Sequence, residues 1–344
     1  MKRGAEIARA FQLVEKKFGD ISRLTEKGVG PIVSNELTNE HLQALFTHKA
    51  CAIHVKNFVS KEHAALYATA FKKAKTQNWK VFQGNEVQES SVQSVFGVPF
   101  TVAAGHGQAS ADEYFKNTCR HMREMREACG GHSPSDRIRL SLDEEWKHGC
   151  MLGRDKNGQP YQGGIGRVMD GVDIEQMRKD NPSKAEAVLK YGGFCHVDDI
   201  SAMKESSGVF SANLYLEMPR DSEGKVLGGL EIFPVRVASR LDFYRNAPTL
   251  SLLFRQDFES QRRLREAFPA PYVIRPEEGD LVVLCVQRPH SVINFQKSSK
   301  ERAQSRWGQL HAGTEKEVAH DCQLRVSLQT FMSYSKGKPI LLDS

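Results

Sequence analysis

The sequence lacks several features that usually assign a protein to a structural class, such as paired cysteines and long apolar runs. Its 344 residues include only seven cysteines, which are widely spaced and form no Cys-x-x-Cys pair. This distribution excludes a disulfide framework and a zinc site built on cysteine pairs, and it indicates reduced thiols. No apolar run reaches the 18 residues of a transmembrane helix, and the chain begins without the apolar core of a secretion signal. We therefore expect a soluble, cytoplasmic protein that has no membrane partner.

Charge of one sign is not concentrated anywhere in the chain. Lys and Arg number 48 against 42 Asp and Glu, a net charge of +6, but no run of five or six basic residues occurs. Such a scattered excess is typical of a solvated surface and gives no nucleic-acid footprint, while it is compatible with an anionic small molecule. Glycine-rich phosphate loops and the Gly-x-Ser-x-Gly nucleophile elbow are also absent. Nucleotide-dependent and serine-nucleophile enzymes are therefore not indicated.

The pair His196 and Asp198 is the first feature that carries chemistry. It follows a glycine-rich turn, and in an extended segment side chains two residues apart project to the same side. The pair could therefore bind one metal ion, but two ligands satisfy too little of its coordination shell. His290 supplies a third, because residues 278–290 have the pattern of turn, buried strand, turn and the start of another strand. Two histidines and one carboxylate form the facial arrangement preferred by non-haem Fe(II) oxygenases.

A strand pattern close to the C-terminus carries a second feature. Residues 324–331 alternate, with Arg325 and Ser327 on one face and apolar residues on the other. A guanidinium pairs with a carboxylate through two parallel hydrogen bonds, and a hydroxyl two residues on could donate another. Arg302 and Arg306 are nearer to the distal histidine in sequence, but their segment is polar throughout and lacks this alternation. We expect the strand residue Arg325, rather than either of these, to hold an anionic cosubstrate.

Together these elements resemble the Fe(II)/2-oxoglutarate-dependent oxygenases over about residues 161–334. The shared pattern consists of His-x-Asp after a glycine-rich turn, a glycine pair at 228–229, residues 279–282 before the distal histidine, and Arg-x-Ser at 325–327. Within the superfamily the chain is most similar to the branch that hydroxylates, halogenates or oxidatively cyclises free amino acids.

The resemblance implies cofactors and the residues that hold them. Fe(II) would be bound by His196, Asp198 and His290. The cosubstrate 2-oxoglutarate would chelate the iron and place its distal carboxylate on Arg325 and Ser327, and O2 would take the remaining position. In related halogenases a small residue replaces the carboxylate ligand, so Asp198 favours hydroxylation, desaturation or cyclisation.

Four further residues are candidates for binding carboxylates. Asn213 shares a face of its strand with Tyr215, and either could bind the cosubstrate or simply satisfy the polarity of the barrel wall. Arg167 lies on the strand leading toward the metal loop, and Arg288 lies in the turn before His290. Both could place a guanidinium at the open side of the metal and bind the substrate's own carboxylate. For each arginine a structural salt bridge is an equally reasonable role.

The distribution of elements predicts an α+β fold. Strands cluster in the second half of the chain and parallel βαβ units are absent, which favours a double-stranded β-helix (a cupin-like jelly roll) with supporting N-terminal helices. Residues 1–150 would form a mainly helical support region, and residues 151–344 the jelly-roll catalytic core of one continuous domain. The basic run 255–265 should be the solvated face of an outward-facing helix. The polar segment 296–323 has the composition of a lid or of a disordered loop.

Local signals predict individual elements in the first half. Thr38, Ser60 and Ser133 precede helical patterns as candidate caps. Residues 94–103 have the pattern of a strand that runs into a loop.

The function that the resemblance implies is oxidation of an unactivated C–H bond of a small molecule, with release of succinate and CO2. The resemblance to the amino-acid branch alone makes a free amino acid the expected substrate, and nucleic acid is not an expected partner. Two alternatives stay open: a non-catalytic jelly-roll module that binds a ligand, and a cupin-type metalloenzyme that does not use 2-oxoglutarate. The sequence does not fix the oligomeric state.

Overall fold

The computed structural model describes residues 2–74, 76–83, 86–297 and 323–344. Its α-helices are α1 (Lys2–Phe18), α2 (Asn39–Phe46), α3 (Lys61–Lys73), α4 (Phe100–Gly105), α5 (Gln108–Ala128), α6 (Pro134–Glu145), α7 (Ile174–Asp180), α8 (Pro182–Tyr191), α9 (Arg240–Arg245), α10 (Ala247–Leu250) and α11 (Phe258–Ala267). Short 3₁₀ helices lie at Ile21–Leu24 and Ser251–Phe254. The strands are β1 (Pro31–Ser34), β2 (Ala52–Val55), β3 (Gln77–Gln83), β4 (Glu86–Phe96), β5 (Cys150–Leu152), β6 (Ile165–Asp170), β7 (Ser207–Glu217), β8 (Gly229–Ile232), β9 (Tyr272–Ile274), β10 (Leu281–Cys285), β11 (His290–Ile293), β12 (Leu324–Ser335) and β13 (Ile340–Asp343). Most of the segment expected to be a lid or a loop, with Arg302 and Arg306, lies outside the described residues.

Within the described residues these strands form two sheets. The larger, ten-stranded sheet has the order β1-β2-β10-β7-β12-β6-β4-β3, and β13 joins β12 to β5. The smaller sheet has the order β11-β8-β9. Most neighbours are antiparallel; β1 with β2 and β13 with β5 are parallel. The combination of helices with largely antiparallel sheets confirms the expected α+β class.

The larger sheet is covered on both of its faces. On one face, Leu214, Val283 and Leu328 belong to a core that includes residues of α2, α3, α5 and α6. On the other, Val282 packs in a second core with Ile232 of the smaller sheet. Because side chains alternate along a strand, Val282 and Val283 face these two layers in turn. The space between the two sheets is where the candidate site lies.

The first 150 residues contribute strands as well as helices. β1 and β2 extend the larger sheet beyond β10, and β3 and β4 extend it beyond β6. This region therefore broadens the sheet in addition to covering it. The division of the chain near residue 150 stays a prediction.

Capping side chains explain why several helices begin where the sequence indicates. Thr38, Ser60 and Ser133 each accept a hydrogen bond from a backbone N–H group in the first turn of α2, α3 and α6.

The expected strand over residues 94–103 is wrong in its second half, since β4 ends at Phe96 and α4 follows Pro99. Proline cannot donate to a strand ladder, and its fixed φ suits a helix start. Among the described residues, no helix combines the length and apolar character needed to cross a membrane.

A buried pair of side chains joins β2 to the turn before β10. His54 Nε2 lies 2.7 Å from Asp280 Oδ2, and the two side chains are 7% and 5% exposed. The Asp280 carboxylate also accepts hydrogen bonds from the backbone N–H groups of Asn57 and Glu277. Burial by itself would raise the pKa of Asp280, but these hydrogen bonds outweigh it and lower the pKa. The pair therefore fixes β10, the strand that leads to His290.

Asp280→Asn should lower the free energy of unfolding at pH 7 by about 1–3 kcal/mol, the usual cost of leaving a buried hydrogen-bonding group without its partner. The folded-state pKa of Asp280 lies below its unfolded value near 3.9. Its contribution is therefore present above about pH 4 and is lost as the pH falls further. Urea unfolding at several pH values measures both effects. The exposed Asp112→Asn variant is the control; an equal loss in that variant would contradict the assignment.

Candidate metal centre

Three side chains from two distant parts of the chain meet at one point between the sheets. His196 and Asp198 lie in an extended segment, and His290 is the first residue of β11. Nε2 of His196 lies 3.5 Å from Oδ1 of Asp198, and Nε2 of His290 lies 3.6 Å from Oδ2. In the part of the chain that the structure describes, this is the one His/Cys/Asp/Glu group whose ligand atoms lie within 4.8 Å of one another.

Backbone hydrogen bonds bring the two histidines together. The N–H group of each donates to the carbonyl oxygen of the other at 2.9 Å, so the His196 segment continues the smaller sheet beside β11. The glycine pair before it permits this approach. Gly192 has a φ of +77°, and a Cβ on Gly193 would lie 2.0 Å from the carbonyl oxygen of Val292. The glycine-rich turn thus marks the place where two backbones pass in close contact.

Both imidazoles are oriented through their second nitrogen. Nδ1 of His196 lies 2.9 Å from the carbonyl oxygen of Phe194, and Nδ1 of His290 lies 2.9 Å from that of Arg288. Because a carbonyl oxygen only accepts, Nδ1 carries the proton and Nε2 keeps its lone pair for a metal. Two imidazole nitrogens and one carboxylate fit a divalent transition metal such as Fe(II) and leave coordination positions open.

The two imidazoles keep the Asp198 carboxylate anionic. Burial by itself would raise the pKa of Asp198, but the two imidazoles outweigh it and hold that pKa well below its usual range. Burial would lower the pKa of His196, but its interaction with Asp198 outweighs burial and raises the pKa, so a metal ion that binds Nε2 must displace a proton. The side chains of His196 and Asp198 are 38% and 30% exposed, against 6% for His290. The accessible side of the centre is therefore the side of His196 and Asp198.

A layer of polar side chains lines the inner face of the larger sheet. The Arg167 guanidinium donates to the amide oxygens of Gln329 at 2.7 Å and Gln93 at 2.9 Å. The amides of Gln329 and Asn213 donate to the hydroxyl oxygen of Ser211 at 3.3 and 3.1 Å. The register pairs Asn213 with a β10 residue that faces the smaller sheet, so this layer faces the space between the sheets. Asn213 thus hydrogen-bonds a neighbour on the same strand of the larger sheet, and its role toward a cosubstrate stays a prediction.

Arg325 lies in the same layer and has no carboxylate partner among the described residues. It is 4% exposed, Nη2 donates to the Tyr215 hydroxyl at 3.3 Å, and its guanidinium carbon lies 5.0 Å from the centroid of the Tyr215 ring. In the described part of the chain, its Nε has no hydrogen-bond partner. A buried cation without a counterion is costly, so this position fits an anion supplied by a ligand. Ser327, also buried, lies two residues along the same strand.

Arg167 adds a second positive charge to the layer. The register places it opposite Ser327 on β12. Burial and the nearby charge of Arg325 lower its pKa to about 10, and the charge of Asp198 acts in the opposite direction. Arg167 is therefore close enough to both the anion position and the metal ligands for their charges to act on it. It stays positively charged at neutral pH, so a ligand reaching from the metal into this layer meets two cations.

The structure contradicts the expectation that Arg288 places its guanidinium at the open side of the metal. Its side chain is fully buried and pairs with Glu26 at 2.5 Å, and the carbonyl oxygens of Val235 and His48 lie 3.4 Å away. No sequence pattern indicates that Glu26, from the first part of the chain, reaches this turn. Arg288 already has its anion inside the chain, and only its backbone oxygen contributes to the centre, by orienting His290.

Helix α11 contributes two side chains that the sequence interpretation missed. Gln261 is fully buried and hydrogen-bonds both backbone groups of Cys195, and Arg265 one turn later is also directed inward. Reading residues 255–265 as a solvated face is therefore wrong for these two. Their i,i+4 spacing beside the buried Leu264 was the available signal. Cys195 itself is buried and packs in an apolar cluster.

The wild-type apoprotein should bind about one equivalent of Fe(II), or of Co(II) as an air-stable probe. His196→Ala, Asp198→Ala and His290→Ala should each lose that equivalent while their circular dichroism spectra stay unchanged, since each removes one of three ligands. Equilibrium dialysis followed by metal analysis measures the stoichiometry. The exposed His132→Ala variant is the control. A variant of the triad that retained full, tight binding would remove its residue from the metal centre.

Comparisons with known proteins find no matching protein-family model and no match among curated proteins. The chain is similar to the solved structure of an N-substituted L-amino acid dioxygenase from Burkholderia ambifaria, with 13% identity, a TM-score of 0.49, and coverage of 89% of this chain and 91% of that one. It is also similar to HygX from Streptomyces hygroscopicus with nickel and 2-oxoglutarate bound (9% identity, TM-score 0.39, coverage 86% and 87%). An oxidoreductase of the 2OG-Fe(II) oxygenase family from Burkholderia pseudomallei gives 10% identity, a TM-score of 0.37, and coverage of 90% and 97%. Such identities carry no activity or substrate over to this chain.

Proposed function

We propose that the chain is a non-haem Fe(II)- and 2-oxoglutarate-dependent oxygenase. The observation that carries this proposal is the presence of two groups on the side of the larger sheet that faces the smaller one. They are the converging triad of His196, Asp198 and His290, and the buried guanidinium of Arg325, which has no carboxylate partner among the described residues. A triad alone would suit many metalloenzymes. A cupin-type enzyme that does not use 2-oxoglutarate gives no role to Arg325, and a non-catalytic module needs no open metal positions.

The strand order supports a double-stranded β-helix. The strands β6-β12-β7-β10 of the larger sheet face the smaller sheet β11-β8-β9, and the segment with His196 adds a further strand position beside β11. Two antiparallel layers that enclose a ligand space are typical of jelly rolls. In this reading residues 151–344 form the catalytic core, and residues 1–150 add strands and helices around it.

The residues of the chain bind and orient the reactants. His196, Asp198 and His290 would hold the metal, and Arg325 with Ser327 would hold the distal carboxylate of 2-oxoglutarate. When bound, iron, 2-oxoglutarate and O2 supply the oxidant that removes hydrogen from an unactivated C–H bond, with succinate and CO2 as products. Because Asp198 provides a carboxylate ligand, the proposal favours hydroxylation, desaturation or oxidative cyclisation over halogenation.

We further propose that the substrate is a small carboxylate, a free amino acid in the first instance, with its carboxylate on Arg167. The support is the charge of Arg167 near both the metal ligands and the anion position. The register also places Arg167 opposite Ser327, two residues along β12 from Arg325.

Arg325→Lys should weaken binding of 2-oxoglutarate. The substitution keeps the charge but loses the planar fork, which costs about 1–3 kcal/mol, or roughly a 5- to 150-fold rise in Kd. Isothermal titration of the metal-loaded protein with 2-oxoglutarate under anaerobic conditions measures the effect separately from turnover.

Arg302→Lys, Arg306→Lys and the partly exposed Arg262→Lys are the matched controls for this measurement. Each should stay within a few-fold of the wild-type Kd. A large defect at Arg302 or Arg306 combined with an unaffected Arg325→Lys would show that the anion position has been assigned to the wrong residue.

A screen of the twenty amino acids for substrate-stimulated release of succinate tests the reaction and the substrate together. For an amino acid that stimulates release, Arg167→Gln should raise KM about 10- to 150-fold, since a charge-assisted carboxylate contact is lost. Ligand binding without any turnover would favour the non-catalytic module, and turnover without 2-oxoglutarate would favour the cupin-type enzyme. An unchanged KM would remove Arg167 from the substrate site.

A further inference from the structure

The segment that leads into His196 is held by a side chain where a strand neighbour would otherwise lie. The amide oxygen of Gln261 accepts a hydrogen bond from the backbone N–H group of Cys195 at 2.7 Å. Its amide nitrogen donates to the carbonyl oxygen of Cys195 at 3.3 Å and to that of Arg255 at 3.0 Å. Gln261 is fully buried. One primary amide thus reproduces the donor and acceptor pair that a neighbouring strand presents.

The same helix is fastened to its surroundings on both sides of Gln261. Arg265, one turn along α11, pairs with Glu231 of β8 at 2.7 Å, and both side chains are 13% exposed. Its guanidinium also lies 4.9 Å from the centroid of the Tyr191 ring. At the start of the helix, the backbone N–H group of Phe258 donates to the hydroxyl oxygen of Ser183 in α8 at 2.9 Å. Helix α11 is therefore fixed both to the smaller sheet and to the helix that precedes the metal-binding segment.

We propose that Gln261 is a positioning residue for the metal centre, held in place by Arg265 and Glu231. This inference rests on the proposed metal site at His196, Asp198 and His290. Gln261 acts on His196 through the peptide that joins it to Cys195, and it touches neither metal nor substrate.

The geometry explains why a side chain is needed at this point. His196 pairs with β11 on one side of its segment. On the other side, the polar groups of Cys195 would be left buried without partners if Gln261 were absent, because Cys195 itself is completely buried. Only one peptide separates the atoms that Gln261 holds from the backbone of a metal ligand. A shift of the segment would therefore pass directly to Nε2 of His196, and a metal site tolerates only about 0.5 Å of such displacement.

Two variants of Gln261 distinguish its acceptor contact with the Cys195 N–H group from its donor contact with the Cys195 carbonyl oxygen. Gln261→Glu keeps an acceptor for the Cys195 N–H group but loses the donor to the Cys195 carbonyl. Gln261→Met keeps the approximate shape and loses both. Leu142→Ala, in the core on the far side of the larger sheet, is a control that lowers stability without touching this segment.

Each apoprotein is titrated with Co(II) alone. The visible absorption spectrum of the Co(II) complex and the Kd for Co(II) are measured. No activity enters the readout. Gln261→Met should bind Co(II) about 10- to 100-fold more weakly than wild type, the usual effect of losing a residue that orients a metal ligand. Its spectrum should change in shape because the coordination geometry changes. Leu142→Ala should lower the melting temperature and keep the wild-type Kd and spectrum.

The outcomes distinguish this inference from the proposed function. Wild-type Kd and spectrum in a folded Gln261→Met or Gln261→Glu variant would overturn the positioning role while leaving the metal site intact. Failure of the wild-type protein itself to bind one equivalent of Co(II) would overturn the metal site, and this inference with it. If Gln261→Met does not fold, Gln261→Glu decides, because it should still show weaker binding and a changed spectrum.

Discussion

The site depends above all on the pair of backbone hydrogen bonds between His196 and His290. Each is 2.9 Å long, and together they fix two residues that lie far apart in sequence as neighbours in one sheet. Because each imidazole also donates from Nδ1 to a carbonyl two residues earlier, the backbone sets the direction of both Nε2 atoms. The rings need little further ordering when a metal binds, so most of the entropic cost of the site is met during folding.

Buried arginines divide into two kinds in this molecule. Arg288 and Arg265 have carboxylate partners within the chain, Glu26 and Glu231, and they hold segments of backbone together. Arg325 has an aromatic ring and a hydroxyl as neighbours and no carboxylate among the described residues. A paired guanidinium is a structural element, whereas a buried guanidinium without its anion destabilises the free protein. This contrast is what supports a ligand carboxylate at Arg325 and excludes one at Arg288.

The sequence predicted the site best where local backbone geometry alone brings two side chains together. His196 and Asp198 share a side because of strand geometry, and Arg325 and Ser327 share a face for the same reason. The sequence could not show contacts that depend on the folded arrangement of distant segments. The pairing of Glu26 with Arg288 is one of these, because no periodicity links them. Gln261 is a second example. Its polar side chain suggests a position in solvent, whereas in the fold it hydrogen-bonds the buried backbone of Cys195.

The two sheets contribute different groups to the candidate site, and the short turn between β10 and β11 connects them. The smaller sheet presents the metal ligands, whereas the larger sheet presents the guanidinium of Arg325. The N–H group of Asp198 donates to the carbonyl oxygen of Val286 at 3.1 Å, just where β10 leaves the larger sheet for His290. The side-chain amide of Gln287 in that turn accepts a hydrogen bond from the Val209 N–H group and donates one to the carbonyl oxygen of Ser201. Backbone contacts therefore fix the segments that carry the proposed metal ligands relative to the larger sheet that carries Arg325. In the proposed function, this arrangement selects a ligand that carries both a chelating group and a distant carboxylate.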